Sequence, residues 1–508
     1  MIAKQLIEPK SIVVVGGSDD IHKPGGTVLR NLQDGNFKGS LYVVNPKMDE
    51  VQGIKAYRDV KDLPEVDCAI LAIAAKFCPS TVEVLAKQKN TKAFIILSAG
   101  FHEENEEGAK LERQIVETIN SVGGSLIGPN CIGVLTNHYS GVFTSPIPEL
   151  NPQGVDLISG SGATALFIMD SGMQKGIKFN SMYSVGNSAQ LGVEEILEYM
   201  DESFDPKTSS RVKLLYVESI EKPEKLLKHA SSLIRKGCRI AAVKSGGSAA
   251  GSRAASSHTG ALASSDVAVE ALFRKAGIVR CNGRDELMTV AGIFMHPEMK
   301  GRNMAVVTHA GGPAVMLTDA LSNGGMDVPH IEGEKAQELL GKLFAGSSVG
   351  NPIDFLATGT AEQLGYILDA CDRDFDNIDG MAVIFGSPGL FPVFDVYNVL
   401  DEKMKTSKKP IFPIFPSSKI VKDEIAEFVS KGRVYFPDEV LFGNALCKIY
   451  KTPAPQPEHF EMPDMDVKKI REVVDNAQNG YLSPDEIHAL LDAAGVARAK
   501  EGVSDNEE

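Results

Sequence analysis

LISGSGATALFIMD (157–170) and VVTHAGGPAVMLTDA (306–320) carry one pattern twice. Each is an apolar run that reaches a hydroxyl residue, turns through glycine and continues at helical spacing. Outward from these two stretches the theme repeats. SIVVVGG (11–17), LYVVNP (41–46), CAILAIAA (68–75), AFIILSAG (93–100), SLIGPN (125–130), VKLLYVES (212–219), RIAAVKSGG (239–247), GMAVIFGSPG (380–389) and KKPIFPIFP (408–416) read as strands. Helical stretches separate them, as at 80–87, 106–122, 193–200 and 223–236. Continuous apolar strands alternating with helices predict parallel, doubly wound sheets, an α/β fold. Such sheets bind ligands at the carboxyl ends of their strands.

The 508 residues suggest three or four domains at about 100–200 residues each. TSPIPELNPQ (144–153) is proline-rich and aperiodic, and TPAPQPE (452–458) reads as a linker. The expected order is a Rossmann-like domain over 1–145, a flavodoxin-like domain over 146–298, a second flavodoxin-like domain over 299–451, and a linker with a short helical tail over 452–508. The two stretches quoted first are then equivalent starts of two duplicated domains. In the tail, Ser483-Pro484-Asp485-Glu486 is a helix start with serine as N-cap.

The formal net charge of −15 argues against a nucleic-acid binder, which carries a basic face. The first ten residues hold no signal-peptide core. The apolar run 68–75 is far short of the ~20 residues needed to span a bilayer. A soluble, cytoplasmic protein with no membrane partner is expected. The seven cysteines are scattered, with no CxxC pair; this is neither a disulfide framework nor a zinc pattern, and no metal site is expected.

Four groups of residues are candidates for chemistry. His258 lies in KSGGSAAGSRAASSHTGALASS (244–265), a stretch of Gly, Ala and Ser with little to bury, expected to be a mobile loop. It is either an exposed histidine or a nucleophile that accepts and passes on a phosphoryl group. His309 is the next candidate, at a helix start where it would line a site rather than travel. The glycine-rich helix starts Ser159-Gly160-Ser161-Gly162 and Thr308 to Gly312 are either tight turns or phosphate sites, since a helix N-terminus offers free N–H groups and partial positive charge. Glu218 closes a strand, where a carboxylate is either solvated or positioned to orient an imidazole. In the first domain Gly16-Gly17-Ser18 ends the first strand and Lys23 precedes a helix, with no clean GxGxxG. The second strand ends in Asn45-Pro46-Lys47 instead of the acid that a dinucleotide ribose prefers. Lys47 is a surface lysine or a partner for a phosphorylated nucleotide.

Taken together, SSHTGALA (256–263), GPNCIGV (128–134), LISGSGA (157–163), YVES (216–219), VNP (44–46) and GNPID (350–354) resemble the NDP-forming acyl-CoA synthetases, relatives of succinyl-CoA synthetase, over roughly 5–450. The resemblance implies an acid–thiol ligase that couples acyl-CoA, phosphate and ADP to free acid, CoA and ATP through an acyl phosphate and a phosphohistidine. It implies His258 as the phosphorylated residue and Glu218 as its support. Ser159, Gly160, Ser161 and Gly162, with Ala310, Gly311 and Gly312, would hold the phosphate. CoA would lie near Gly16, Ser18, Lys23, Asn45, Lys47, Ser98 and Asn130 of the first domain. The small carboxylic acid or acyl group is left open.

Two features depart from the family's complete set. No ATP-grasp domain follows residue 460, so ADP/ATP with Mg is expected on an ATP-grasp beta subunit. In GNSAQLGVEEIL (186–197), Gln190 stands where relatives tend to carry an acid. Competing readings are a non-catalytic CoA- or acyl-CoA-binding regulatory protein of the same fold and a nicotinamide-linked dehydrogenase. The retained His258, Glu218 and glycine helix starts favour the enzyme over the first, and the missing acid after the second strand counts against the other.

Overall fold

In the strand Ser11–Val15 four of the five residues are buried, and all of Cys68–Leu71 and Ala93–Ile96 are. Strands apolar on both faces need helices on both sides, which parallel crossovers supply. The computed structural model describes residues 2–35, 37–259, 265–387, 389, 392–457, 464–478 and 480–498, with the side chains of 255–259 excepted. Two units are seen, Met1–Pro455 and Gln456–Glu508.

The first sheet pairs Ser11–Val15 in parallel with Ser40–Val44 on one side and with Cys68–Leu71 on the other. Ile54–Tyr57 lies beyond Ser40–Val44, and Ala93–Ile96 then Ser125–Ile127 lie beyond Cys68–Leu71. In chain order these strands run 3-2-1-4-5-6, the Rossmann arrangement, with the direction of winding reversing beside Ser11–Val15. Glu50–Val51 adds an antiparallel edge.

The second sheet orders Phe179–Ser184, Leu150–Ser159, Val212–Val217, Arg239–Lys244 and Val279–Cys281 as 2-1-3-4-5, all parallel, the flavodoxin order. The third orders Ile353–Asp354, Met304–Thr308, Gly380–Ile384 and Ile411–Ile414 as 2-1-3-4, and a bridge from Ile414 to Phe436 marks a fifth position. The α/β architecture expected from the sequence is present.

Two features differ from the sequence reading. The chain enters the second sheet before residue 145: Gly133–Leu135 and Ser140–Val142 form an antiparallel hairpin paired with Phe179–Ser184. Its members are only three residues long, too short for periodicity to reveal. Much of the 244–265 stretch, expected to be a loop, is the helix Ala249–Thr259. Alanine has the highest helix propensity, and the Ser248 hydroxyl accepts the Gly251 N–H at 3.0 Å at its start. The helical tail is as expected: among the described residues of the second unit are the helices Val467–Asn476 and Pro484–Ala493, and Ser483 caps the latter, its N–H and hydroxyl both bonding Glu486.

The cores are continuous across the domains of the first unit. Ile12 and Val14 of the first sheet share a cluster with Ile158 and Leu215 of the second. Leu157 and Phe179 share another with Met304 and Phe412 of the third. At the amino edge of the second sheet Lys213, 2% exposed, donates to Asp156 Oδ2 (2.5 Å) and to the Ser210 carbonyl (2.7 Å). Ser181 and Asn180 donate to the other Asp156 oxygen at 2.6 and 2.7 Å. The buried charges are paired and hydrogen-bonded, the condition under which burial is tolerated.

Candidate active site

The carboxyl edges of the first and second sheets meet through two turns. The turn after Ser125–Ile127 carries Asn130 at φ +56°, and the turn after Phe179–Ser184 carries Gly186 at φ +53°. The Asn187 N–H donates to the Pro129 carbonyl at 2.9 Å, and the Ala189 N–H to the Gly128 carbonyl at 3.2 Å. A Cβ on Gly186 would stand 2.3 Å from the Pro129 oxygen, so only glycine permits this approach.

A cavity of about 290 Å³ opens beside this seam. Leu97, Cys131, Ile132, Phe143, Val193 and Val217 form its apolar wall. Gly160, Ser161 and Gly162 approach from the second sheet, together with Glu218, just beyond the strand Val212–Val217. A Cβ on Gly160 would lie 3.9 Å from Glu218 Cγ. The Ser159 hydroxyl donates to the Ser161 carbonyl at 2.7 Å and accepts its N–H at 3.2 Å. Ser161 caps the helix Gly162–Gln174 by accepting the Thr164 N–H. Among the described residues the N–H groups of Gly162 and Ala163 have no partner, as the first N–H groups of a helix have none within it.

The second glycine start repeats this turn. The Thr308 hydroxyl donates to the Ala310 carbonyl at 2.7 Å and accepts its N–H at 2.9 Å, before the helix Gly311–Asn323. The shared geometry is what the two quoted stretches predict. Ala310, Gly311 and Gly312 do not line the cavity beside the seam, so only one of the two expected phosphate starts is joined to it. His309 is fixed: its ring stacks on Phe385 at 4.2 Å, and Nε2 accepts the Gly386 N–H at 3.0 Å. Burial holds its pKa below the usual value, consistent with an unprotonated Nε2. The helix Ala249–Thr259 carries His258 in its last turn; the His258 ring lies outside the described residues.

The expected CoA residues share the carboxyl edge of the first sheet. Gly16, at φ +88°, follows the first strand, and a Cβ on Gly25 would meet its carbonyl oxygen at 2.1 Å. The helix Pro24–Asp34 therefore starts tight against the first strand end. Asn45 Nδ2 donates to the Gly17 carbonyl at 2.9 Å, and Asn45 Oδ1 accepts the Lys47 N–H at 2.9 Å. Lys23 lies 3.7 Å from Asp20, and the Ser18 hydroxyl accepts the Asp20 N–H. Lys47 is exposed, with no ion pair among the described residues. The Ser98 hydroxyl donates to the Ile73 carbonyl, and the Ser98 carbonyl accepts the Asn130 N–H at 2.9 Å. Of this group only Asn130 reaches the cavity.

Sequence reading missed a polar cluster on the cavity wall. His102 Nδ1 meets Glu112 Oε1 at 2.7 Å and Oε2 at 2.9 Å. Asn187 Nδ2 donates to Glu103 Oε2 at 2.5 Å and to Glu112 Oε2 at 3.2 Å, and Asn187 Oδ1 accepts from Asn130 Nδ2 at 3.3 Å. The hydrogen bond to Glu112 holds the His102 pKa above its usual value. Burial would raise Glu103, but the Asn187 amide and the backbone N–H groups of Gly100 and Phe101 outweigh it and hold that carboxyl low. The one signal available was GNS (186–188), a glycine–amide turn after a strand like GPN (128–130). Gln190, where an acid was expected, serves the seam instead: Oε1 accepts the Leu126 N–H at 2.6 Å, and Nε2 donates to Asn120 and to the Gly124 carbonyl.

Residues 10–137 match the CoA binding domain family, and residues 152–294 match the succinyl-CoA ligase like flavodoxin domain. The chain is 32% identical over 431 residues to the acetate–CoA ligase [ADP-forming] II subunit alpha of Pyrococcus furiosus, covering 84% of this chain and 92% of that one. It is 30% identical over 477 residues to the I subunit alpha of the same organism, covering 91% and 100%. The chain belongs to the ADP-forming acyl-CoA synthetase family. A solved structure similar to this chain is the dinucleotide forming acetyl-coenzyme A synthetase 1 of Ca. Korarchaeum cryptofilum in complex with phosphate and ADP. It superposes with a TM-score of 0.78 at 26% identity, over 88% of this chain and 96% of that one. Other synthetases of the family are longer. The match to acetate–CoA ligase [ADP-forming] I of Archaeoglobus fulgidus, 35% identical over 381 residues, takes in 74% of this chain but 54% of that one. The chain thus spans about half the length of such relatives. Among the described residues, no helix is long and apolar enough to cross a membrane.

Proposed function

We propose that this chain is the CoA-binding, phosphoryl-relaying subunit of an ADP-forming acyl-CoA synthetase. The observation that carries the reading is the cavity at the seam. There a helix start with unpartnered N–H groups and a strand-end carboxylate, Glu218, meet the wall that ends the CoA-binding sheet. The first sheet fits CoA: its switch-point edge is cleared by Gly16 and Gly25, with Asn45 bonded to the Gly17 carbonyl and Lys47 exposed beside it. The ADP end would rest there, with the thioester directed to the cavity.

Inorganic phosphate at Gly160–Gly162 attacks the thioester carbonyl. The C–S bond breaks, CoA leaves, and an acyl phosphate forms. A ring nitrogen of His258 then attacks phosphorus, the carboxylate departs, and Glu218 supports the charged imidazole. The phosphoryl group passes to the terminal phosphate of ADP. ADP and its Mg would be held by an ATP-grasp beta subunit, and the acyl group would be that of a small carboxylic acid. We assign Ala310, Gly311 and Gly312 as a second phosphate contact, used when the helix carrying His258 changes position.

The test is incubation with acetyl-CoA and labelled phosphate, followed by mapping of the labelled peptide. Label is expected on His258 and should vanish in His258→Asn with CoA binding intact, while Glu218→Gln slows its appearance. Label on a serine of 244–265, or undiminished label in His258→Asn, overturns the assignment.

A further inference from the structure

The synthetase reading leaves one step without a group to serve it. When phosphate displaces CoA, the departing sulfur is a thiolate that must take a proton; in the reverse direction the thiol must lose one. Glu218 and His258 are engaged in the phosphoryl step; of the cysteines and histidines among the described residues, Cys131 and His102 line the cavity, and the buried Cys131 thiol is turned to the Ile96 carbonyl at 3.3 Å.

His102 follows the strand Ala93–Ile96 on the carboxyl edge of the CoA-binding sheet and lines the same cavity as Gly160–Gly162. Its Nδ1 is held by both oxygens of Glu112, which is itself buried and fixed by Asn187. Nε2 has no hydrogen-bond partner among the described residues, and the side chain is 30% exposed. A carboxylate that anchors one ring nitrogen and leaves the other open is the arrangement that makes an imidazole an acid–base group. We propose that His102, oriented by Glu112, protonates the CoA thiolate as the thioester is cleaved and deprotonates the thiol in the reverse reaction. This rests on the reading of the chain as an acyl-CoA synthetase subunit.

The step balances. A phosphate oxygen forms the new C–O bond, the C–S electron pair leaves on sulfur, and the Nε2 proton moves to it. The products are acyl phosphate, CoA thiol and a neutral ring, which the solvent reprotonates. The charged groups facing the ring are Glu112, by hydrogen bond, and Glu103 and Glu221, at longer range from the two domains that form the seam. All are acids that favour the protonated ring, so the donor state extends above the ordinary histidine range.

Two half-reactions separate this role from the phosphoryl relay. Thioester cleavage is followed by loss of thioester absorbance with acetyl-CoA and phosphate. Relay is followed by labelling of the chain with labelled acetyl phosphate, which bypasses the thioester. In the wild type, cleavage should fall as pH rises through the His102 pKa. His102→Gln should slow cleavage by about 10²-fold, remove that alkaline limb, and leave acetyl-phosphate labelling at its wild-type rate. Glu112→Gln should keep the limb but move it to lower pH. Equal cleavage rates and an unchanged pH profile in His102→Gln overturn the proposal. So does a parallel loss of both half-reactions in His102→Gln and His102→Asn, which would make the residue a support of the fold. A wild-type chain that takes no label from acetyl phosphate refutes the underlying reading, and the proposal falls with it.

Discussion

Lys47 shows what a single position contributes. Its backbone is pinned by Asn45 while its ammonium is exposed at the edge of the first sheet. If it meets a CoA phosphate, Lys47→Ala should weaken CoA binding by about 1–3 kcal/mol, read by titration calorimetry; unchanged affinity removes it from the site. His296 is the opposite case, a fully buried ring between Phe412 and Phe436 whose Nδ1 meets the Gly292 carbonyl at 2.8 Å. Burial pushes its pKa down from 6.5 to about 4. The unfolded chain takes up this proton as pH falls below the ordinary value, while the folded chain does not until about 4. The ring's contribution is therefore complete above pH 6.5 and is lost between there and about 4. The loss amounts to roughly 3 kcal/mol at 1.36 kcal/mol per pH unit. Acid-unfolding curves of His296→Phe should be flatter over that interval than those of the wild type. Neither residue stands out by its own sequence neighbourhood: Lys47 is a candidate only because no acid closes the second strand, and His296 carries no local pattern at all.

At the scale of elements, the two glycine turns of the seam decide how the first sheet meets the second. Gly186→Ala places a Cβ 2.3 Å from the Pro129 oxygen and imposes a left-handed φ on alanine. Gly53→Ala is the control: it has φ +79° with nothing within 4 Å. Both should lose about 1–2 kcal/mol to the left-handed backbone, and Gly186→Ala should lose clearly more because backbone must shift. Thermal unfolding of the two variants side by side checks this; equal losses would mean that the seam yields freely. Strand and helix identities were mostly legible because long apolar runs and periodic helices are local properties. The hairpin Gly133–Leu135/Ser140–Val142 was not, since three-residue strands are specified by the neighbour they pair with. The helix Ala249–Thr259 is not legible from what its small residues can bury, because backbone preference, and not burial, is what favours helix in that stretch.

For the whole molecule, the proposed function sets an expectation. The chain matches alpha subunits almost throughout and spans only about half of the longer synthetases. Under the function proposed above, this chain assayed alone is expected to bind CoA and to label with phosphate, and to make ATP from acyl-CoA, phosphate and ADP only with an ATP-grasp subunit added. A coupled ATP assay with and without that subunit checks this, and full turnover by the chain alone would refute it.

The sequence by itself determined the class of fold, the duplication announced by the two Ser/Thr–x–x–Gly turns, and the family. These rest on runs of neighbouring residues, and hydrophobic period and turn chemistry act over a few positions at a time. Only the tertiary structure decided that Gly160–Gly162 and Glu218 share a cavity with Asn130 and His102, that the start at Ala310–Gly312 does not line it, and that Gln190 belongs to the seam. His102, Glu112 and Asn187 come from two different sheets and are up to 85 positions apart in the chain. Nothing in local spacing links them; they meet because two parallel sheets bring their carboxyl edges together, which is a property of packing.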